Sequence, residues 1–250
     1  MATWYSVDMD INSTGIPLSP KKQLVKDLFL PLIIIVAGII IAFSVYVVRI
    51  RQQIQHGTGA PEAVRPVSPE DHIIGNPSAP IVIVEYADID SAYGKKLQLT
   101  LEQLMTEYAS GNKVAWVYRH FPVTTLHTDA AMNALAAECA ASVSTPAMFF
   151  KFVDAMQTYA PGATAFSPKQ YGVLLKQLSL PEAPFTSCMS SKTFEQRVHN
   201  DYSNALASGA ISSPYIVLLV QGQKPKTIQG APSYKTLKGI IENQLRSLPQ

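Results

Sequence analysis

The stretch Ile81-Val82-Ile83-Val84-Glu85-Tyr86-Ala87, with Asp88-Ile89-Asp90 after it, decides how this chain folds. Its β-branched and aromatic side chains follow Asn76-Pro77-Ser78-Ala79-Pro80 and predict a short strand buried on both faces. From Tyr93 to Ala109 the apolar positions Leu97, Leu101, Leu104, Met105 and Tyr108 recur at helical intervals. Gly111-Asn112 ends that helix, and Lys113 to Arg119 predicts a second strand. Strand, crossover helix and strand of these lengths make a right-handed parallel unit.

Beyond this unit the middle of the chain predicts helices over 128–142, 146–159, 167–178 and 191–209. The period then changes. Tyr215 to Val220 and Lys226 to Gln229 predict a hairpin turning at Gly222, and Ser233 to Leu248 predicts a closing amphipathic helix. The order is β-α-β, a helical insertion over about 125–208, then β-β-α, an α/β fold.

Working towards the N-terminus, Leu28 to Val48 reads LFLPLIIIVAGIIIAFSVYVV, 21 residues without a charge. Such a run spans roughly 30 Å as a helix, the thickness of a bilayer core, and predicts a single transmembrane anchor. Lys21, Lys22 and Lys26 precede it and Arg49 and Arg51 follow it, a narrow vote for a cytoplasmic N-terminus and an extracytoplasmic C-terminal domain. Residues 1–27 form a short tail, 49–70 a Gly- and Pro-containing linker, and 71–250 the folded domain. The 250 residues are 47% hydrophobic with a net charge of +2, which offers no basic stripe for nucleic acid. Two cysteines make no disulfide-rich scaffold, and no Cys/His spacing points to a metal or other cofactor.

At residue level the chain resembles the DsbA-like family of extracytoplasmic thiol-disulfide oxidoreductases. The resemblance rests on six fragments in order between about Asp71 and Leu248. They are Gly75-Asn-Pro-Ser-Ala-Pro80, Val84-Glu-Tyr-Ala-Asp88, Arg119-His-Phe-Pro122, His127, Ala137-Glu-Cys139 and Gly209-Ala-Ile-Ser-Ser-Pro214. It implies a thioredoxin-like fold with an inserted helical domain. In the family the turn two residues past Asp88 carries Cys-Pro-x-Cys; here that slot reads Ser91-Ala92-Tyr93-Gly94.

Disulfide exchange needs a thiolate, which a helix N-terminus stabilises through its unpaired N–H groups. A serine alkoxide is far less accessible and forms no mixed disulfide. Ser91 therefore reads as a helix N-cap. No Gly-x-Ser-x-Gly surrounds it to suggest a hydrolase, and Asp88 and Asp90 suit the dipole of the following helix. His127 reads as a packing residue at a helix start.

The resemblance further implies a cis Ser213–Pro214 bond facing this turn and a backbone edge that holds polypeptide, with Ser91, Tyr93, Ser213 and Pro214 as the binding residues. It also implies a buried acid at Glu85 and a second disulfide between Cys139, on a helix, and Cys188, in a loop. For those two cysteines a structural bridge, two buried thiols and a relocated redox pair are all open readings. The functional expectation is a non-catalytic, chaperone-like module binding unfolded or extended polypeptide or an envelope protein. The alternatives are a thiol-disulfide oxidoreductase and a structural subunit of an envelope complex.

Overall fold

The computed structural model describes residues 34–46, 59–108, 111–159 and 165–248. They fall into two compact units, one within residues 1–55 and one within 56–250. In the first, residues 34–46 form helix α1, with Ile35, Ile39, Phe43 and its other large apolar side chains exposed. The ends of the predicted 28–48 anchor lie outside the described residues. Among the described residues no helix is long and apolar enough to cross a membrane.

The second unit is built on a five-stranded sheet in the order β1-β3-β2-β4-β5. The strands are β1 (His72–Gly75), β2 (Ile81–Ala87), β3 (Val114–His120), β4 (Tyr215–Val220) and β5 (Lys226–Gln229). β2 and β3 are parallel, with Ile83 opposite Trp116, and helix α2 (Ala92–Tyr108) connects them. The pairs β1–β3, β2–β4 and β4–β5 are antiparallel. Successive side chains of a strand point to opposite faces. Ile81, Ile83 and Ala87 accordingly pack with Leu97, Leu101 and Leu104 of α2 in the larger core. Val82, Val84 and Tyr86 pack with Val117, Tyr215 and Ala205 in a smaller core on the other face. With cover on both sides every residue of β2 and β3 is buried, which is why their sequences show no alternation.

Between β3 and β4 come α3 (Ala130–Ser142), α4 (Met148–Tyr159), a 3-10 turn at Pro168–Gln170 leading into α5 (Tyr171–Gln177), α6 (Glu182–Ser191) and α7 (Glu195–Ala207). Helix α8 (Tyr234–Ser247) closes the chain, capped by the Ser233 hydroxyl, which accepts from the Thr236 N–H.

Three expectations change. Strand β1 was not foreseen, because four residues are too few to show a period. Cys188 lies in α6 and not in a loop: Pro184 reads as a helix breaker, but in the first turn of α6 it forfeits no intrahelical bond. The helix expected over 191–209 begins only at Glu195, after a break at Lys192 with φ +53°.

The linker also ends earlier than its composition suggests. Residues 59–70 are packed onto the domain: the Ala60 N–H donates to Ala207 O at 2.9 Å, and Asn204 Nδ2 to Ala63 O at 2.8 Å. Fully buried Arg119 completes the attachment. Its Nε and Nη2 grip the two Asp71 oxygens at 2.9 and 3.0 Å, and it donates also to the carbonyls of Arg65 and Pro66 and to the Tyr86 hydroxyl. Polar backbone that reads as tether is here the acceptor set for a buried guanidinium.

Candidate functional site

Strand β2 ends at Ala87, and the turn to α2 runs through Asp88, Ile89, Asp90 and Ser91. Helix α2 then leaves its first N–H groups without intrahelical partners. Ser91, buried, fills the N-cap: its Oγ accepts the Gly94 N–H at 3.3 Å, and its carbonyl accepts the Lys95 N–H at 2.9 Å. The Ser91 hydroxyl is thus a cap, as the residue type predicts. Ala92 and Tyr93 follow in the first turn, with the Tyr93 side chain 67% exposed. Gly94 is buried, and a Cβ placed on it would lie 2.5 Å from the Asp88 carbonyl oxygen. The turn is closed down on Asp88 to a degree that leaves no room for a side chain at residue 94.

Asp88 is the hub of this site, a role that residue-by-residue reading missed. Its N–H donates to Ser213 Oγ at 2.8 Å, and its carbonyl accepts the Ser91 N–H at 3.1 Å. Its Oδ1 accepts the Asp90 N–H at 2.9 Å; its Oδ2 accepts the Val123 N–H and meets His127 Nδ1, each at 2.9 Å. Three loops converge there: the β2–α2 turn, the 121–128 segment after β3, and the segment before β4. His127 is therefore a partner of this carboxylate and not merely a packing residue. Asp90 ties the same turn to the insertion, accepting Asn133 Nδ2 on both oxygens at 2.9 Å and the Phe166 N–H at 3.2 Å. Burial raises its pKa from the ordinary aspartate value, against the hydrogen bonds from Asn133 and Phe166. Two acids after a buried strand, with a His and an Asn downstream, were the available signal: buried carboxylates need partners.

The Ser213–Pro214 bond is cis. Pro214 is buried, with its carbonyl accepting the Gly230 N–H at 2.8 Å. Among the described residues, neither the N–H nor the C=O of Ser213 has a hydrogen-bonding partner, although its hydroxyl is fixed to Asp88. Ile211, two residues before, is 41% exposed, and Leu126 on the neighbouring loop is 75% exposed. Of the expected binding residues, Ser91 and Ser213 are both hydrogen-bonded to Asp88.

Glu85 stands apart, fully buried on β2, with Oε2 accepting Trp116 Nε1 at 2.9 Å and Oε1 unpaired. Burial pushes its carboxyl up to about 8. Cys139 and Cys188 form a disulfide joining α3 to α6, with Cα atoms 5.7 Å apart; the Cys139 side is buried and the Cys188 side half-buried. Nearby, Glu138 meets His72 and His120 at 2.9 and 3.0 Å and Arg197 at 2.9 Å. Burial opposes its ionisation, but the hydrogen bonds from His120 and His72 outweigh burial and hold its pKa well below the usual range. This cluster fastens α3 and α7 to β1 and β3. Among the described residues no group of three or more His, Cys, Asp or Glu is placed to hold a metal ion.

The family model described as thioredoxin matches residues 67–243. The chain belongs to the thioredoxin family. Among solved structures, DsbA-like proteins share its fold. Wolbachia pipientis alpha-DsbA1 is 21% identical, with a TM-score of 0.60 over 74% of this chain and 95% of that one. Pseudomonas aeruginosa DsbA2 is 21% identical, with a TM-score of 0.59 over 74% and 100%. Among curated proteins the chain is similar to Na(+)/H(+) antiporters: NhaA 3 of Salinispora tropica is 37% identical over 94 residues, 37% of this chain and 14% of the antiporter. NhaA of Herminiimonas arsenicoxydans is 28% identical over 182 residues, 72% and 27% of the two chains. The chain thus spans about a quarter or less of these antiporters.

Proposed function

We propose that this thioredoxin-family chain is a membrane-anchored, extracytoplasmic binding module that holds extended or unfolded polypeptide and performs no thiol exchange at its reactive turn. The observation that carries this reading is a sulfur-free turn, capped by Ser91 and closed on Asp88, beside a Ser213 peptide with both hydrogen-bonding groups free. An extended segment pairs with such a peptide by adding itself as a strand, and Tyr93 and Ile211 are exposed apolar side chains on the turn and on the segment before β4. The uncharged run 28–48 and the exposed apolar faces of α1 support the anchor. The similarity to segments of named Na(+)/H(+) antiporters fits a domain that works beside membrane proteins, with an envelope protein as one class of partner.

Titrating the full chain, held in lipid nanodiscs, with an unfolded cysteine-free polypeptide tests the reading. Saturable binding with amide shifts confined to the neighbourhood of Ser91, Tyr93 and Ser213 is expected. No binding, or shifts elsewhere only, contradicts it.

One observation favours a second reading, exchange through Cys139–Cys188: that bond is formed and its Cys188 end is half-buried. It predicts catalysed reshuffling of a scrambled disulfide substrate that vanishes in Cys188→Ser.

A further inference from the structure

Read from composition, the linker would run over 49–70 and reach about 79 Å when extended. The strap 59–70 takes the second half of that length out of play. Arg119 holds the Arg65 and Pro66 carbonyls, and Asn204 Oδ1 accepts the Arg65 N–H at 3.1 Å. Arg65 Nη2 in turn reaches Asp71 at 2.9 Å and Asp201 at 2.7 Å. The strap begins wedged against the end of α7. A Cβ placed on Gly59 would lie 2.2 Å from the Ala207 carbonyl oxygen and 2.3 Å from that of Leu206, so only glycine passes there. What separates the uncharged run from this fixed point is residues 49–58 alone, at most about 36 Å of chain.

The place where the strap enters matters as much as its length. Gly209, at φ +101°, lies against it: a Cβ placed on Gly209 would stand 3.2 Å from the Gly59 carbonyl oxygen. Gly209 opens the segment that carries Ser213, and its carbonyl accepts Gln229 Nε2 at 2.9 Å. The chain therefore comes in beside the polypeptide face. The opposite pole of the sheet, where β2 begins at Ile81 and β4 ends at Val220, is not where the tether attaches. By way of residues 49–58 and Gly209, Ser213 reaches no further than roughly 55 Å from the end of the uncharged run.

We propose that the clients of the Ser213 face are polypeptide segments held at the membrane surface, namely the extracytoplasmic loops and span-flanking segments of membrane proteins. The proposal rests on the anchored, polypeptide-binding reading above. So short a tether confines binder and client to one layer beside the bilayer, where each meets the other at an effective concentration that free polypeptide does not match.

The test uses one unfolded, cysteine-free segment of about twelve residues in three settings. It is joined directly to a transmembrane span, joined to that span through a rigid helical spacer of roughly 120 Å, or left free in solution. The two span-borne forms share nanodiscs with the full chain. The wild type is expected to capture the directly joined segment at least about tenfold better than the free one, and the spaced segment no better than the free one. Inserting about 30 Gly/Ser residues between His56 and Gly57 leaves the folded unit intact and lengthens the reach. It is expected to weaken capture of the joined segment and to strengthen that of the spaced one. Equal capture of all three segments by the wild type overturns the proposal and leaves the Ser213 site standing. No binding of any segment, the free one included, overturns the polypeptide-binding reading as well. Capture of the joined segment that excess free peptide does not displace runs through another surface and also overturns the proposal.

Discussion

Two buried polar networks sit side by side at the ends of the parallel strands, and they are built to different ends. Arg119, on β3, lies in register with Tyr86 on β2; Asp88 follows two residues after Tyr86. The Arg119 network is closed: the guanidinium spends its donors on Asp71, Tyr86 and two carbonyls, and none of them faces water. The Asp88 network is closed inward in the same way, yet it holds three loops so that Tyr93, Leu126 and the Ser213 peptide point outward. One network fastens a segment; the other presents a surface. On the proposed reading, the device that positions the turn serves a face that holds no sulfur.

That contrast breaks most readily at Arg119. Arg119→Met removes the guanidinium and leaves the buried Asp71, whose carboxyl Arg119 holds below its usual pKa against the opposing effect of burial, with only Arg65 Nη2 at 2.9 Å and Ser68 as partners. Breaking a buried pair in this way costs about 3–5 kcal/mol, to be read from the denaturant midpoint, with peptide binding by the surviving folded fraction unchanged.

Next in size is the pH response of Glu85. Its folded pKa of about 8 lies above the unfolded value of 4.5, so between them the folded state retains a proton that the unfolded chain has released. Stability is therefore fully present below the unfolded value and falls as pH rises towards 8, by at most about 1.4 kcal/mol per pH unit. Glu85→Gln is expected to flatten the dependence of the unfolding free energy on pH between 5 and 8. An unchanged slope would show that another group titrates.

A smaller effect separates the two ends of the reactive turn. Gly94→Cys drives a side chain against the Asp88 carbonyl and is expected to cost about 1–3 kcal/mol and to broaden the Val123 and His127 signals. Ser91→Ala, by contrast, loses only the cap, about 1 kcal/mol, and leaves the loops in place. A Gly94→Cys variant as stable as wild type would mean the turn is open enough for a cysteine pair.

Most of the fold was legible because it depends on local pattern. The buried run 81–87, the helical spacing of α2 and the hairpin 215–229 each carry their own period. The parts that escaped are those in which a distant group decides. β1 is a strand because β3 offers it an edge, residues 59–70 are ordered because Arg119 needs acceptors, and Asp88 is a hub because loops 35 and 125 residues away return to it. Ser91 and Gly94 were plain in the sequence; the closure of the turn over Gly94 depends on the Asp88 carbonyl six residues earlier and left no local pattern.

The central claim is that this face binds polypeptide and does not exchange disulfides. Its most direct test presents the full chain in nanodiscs with a scrambled, disulfide-bonded unfolded protein in a glutathione buffer, following complex formation and native disulfide recovery together. The account predicts a saturable complex, no covalent adduct after quenching with acid, and recovery at the uncatalysed rate. Accelerated recovery, or a mixed disulfide trapped on Cys139 or Cys188, would contradict it and make the chain an oxidoreductase whose sulfur has moved.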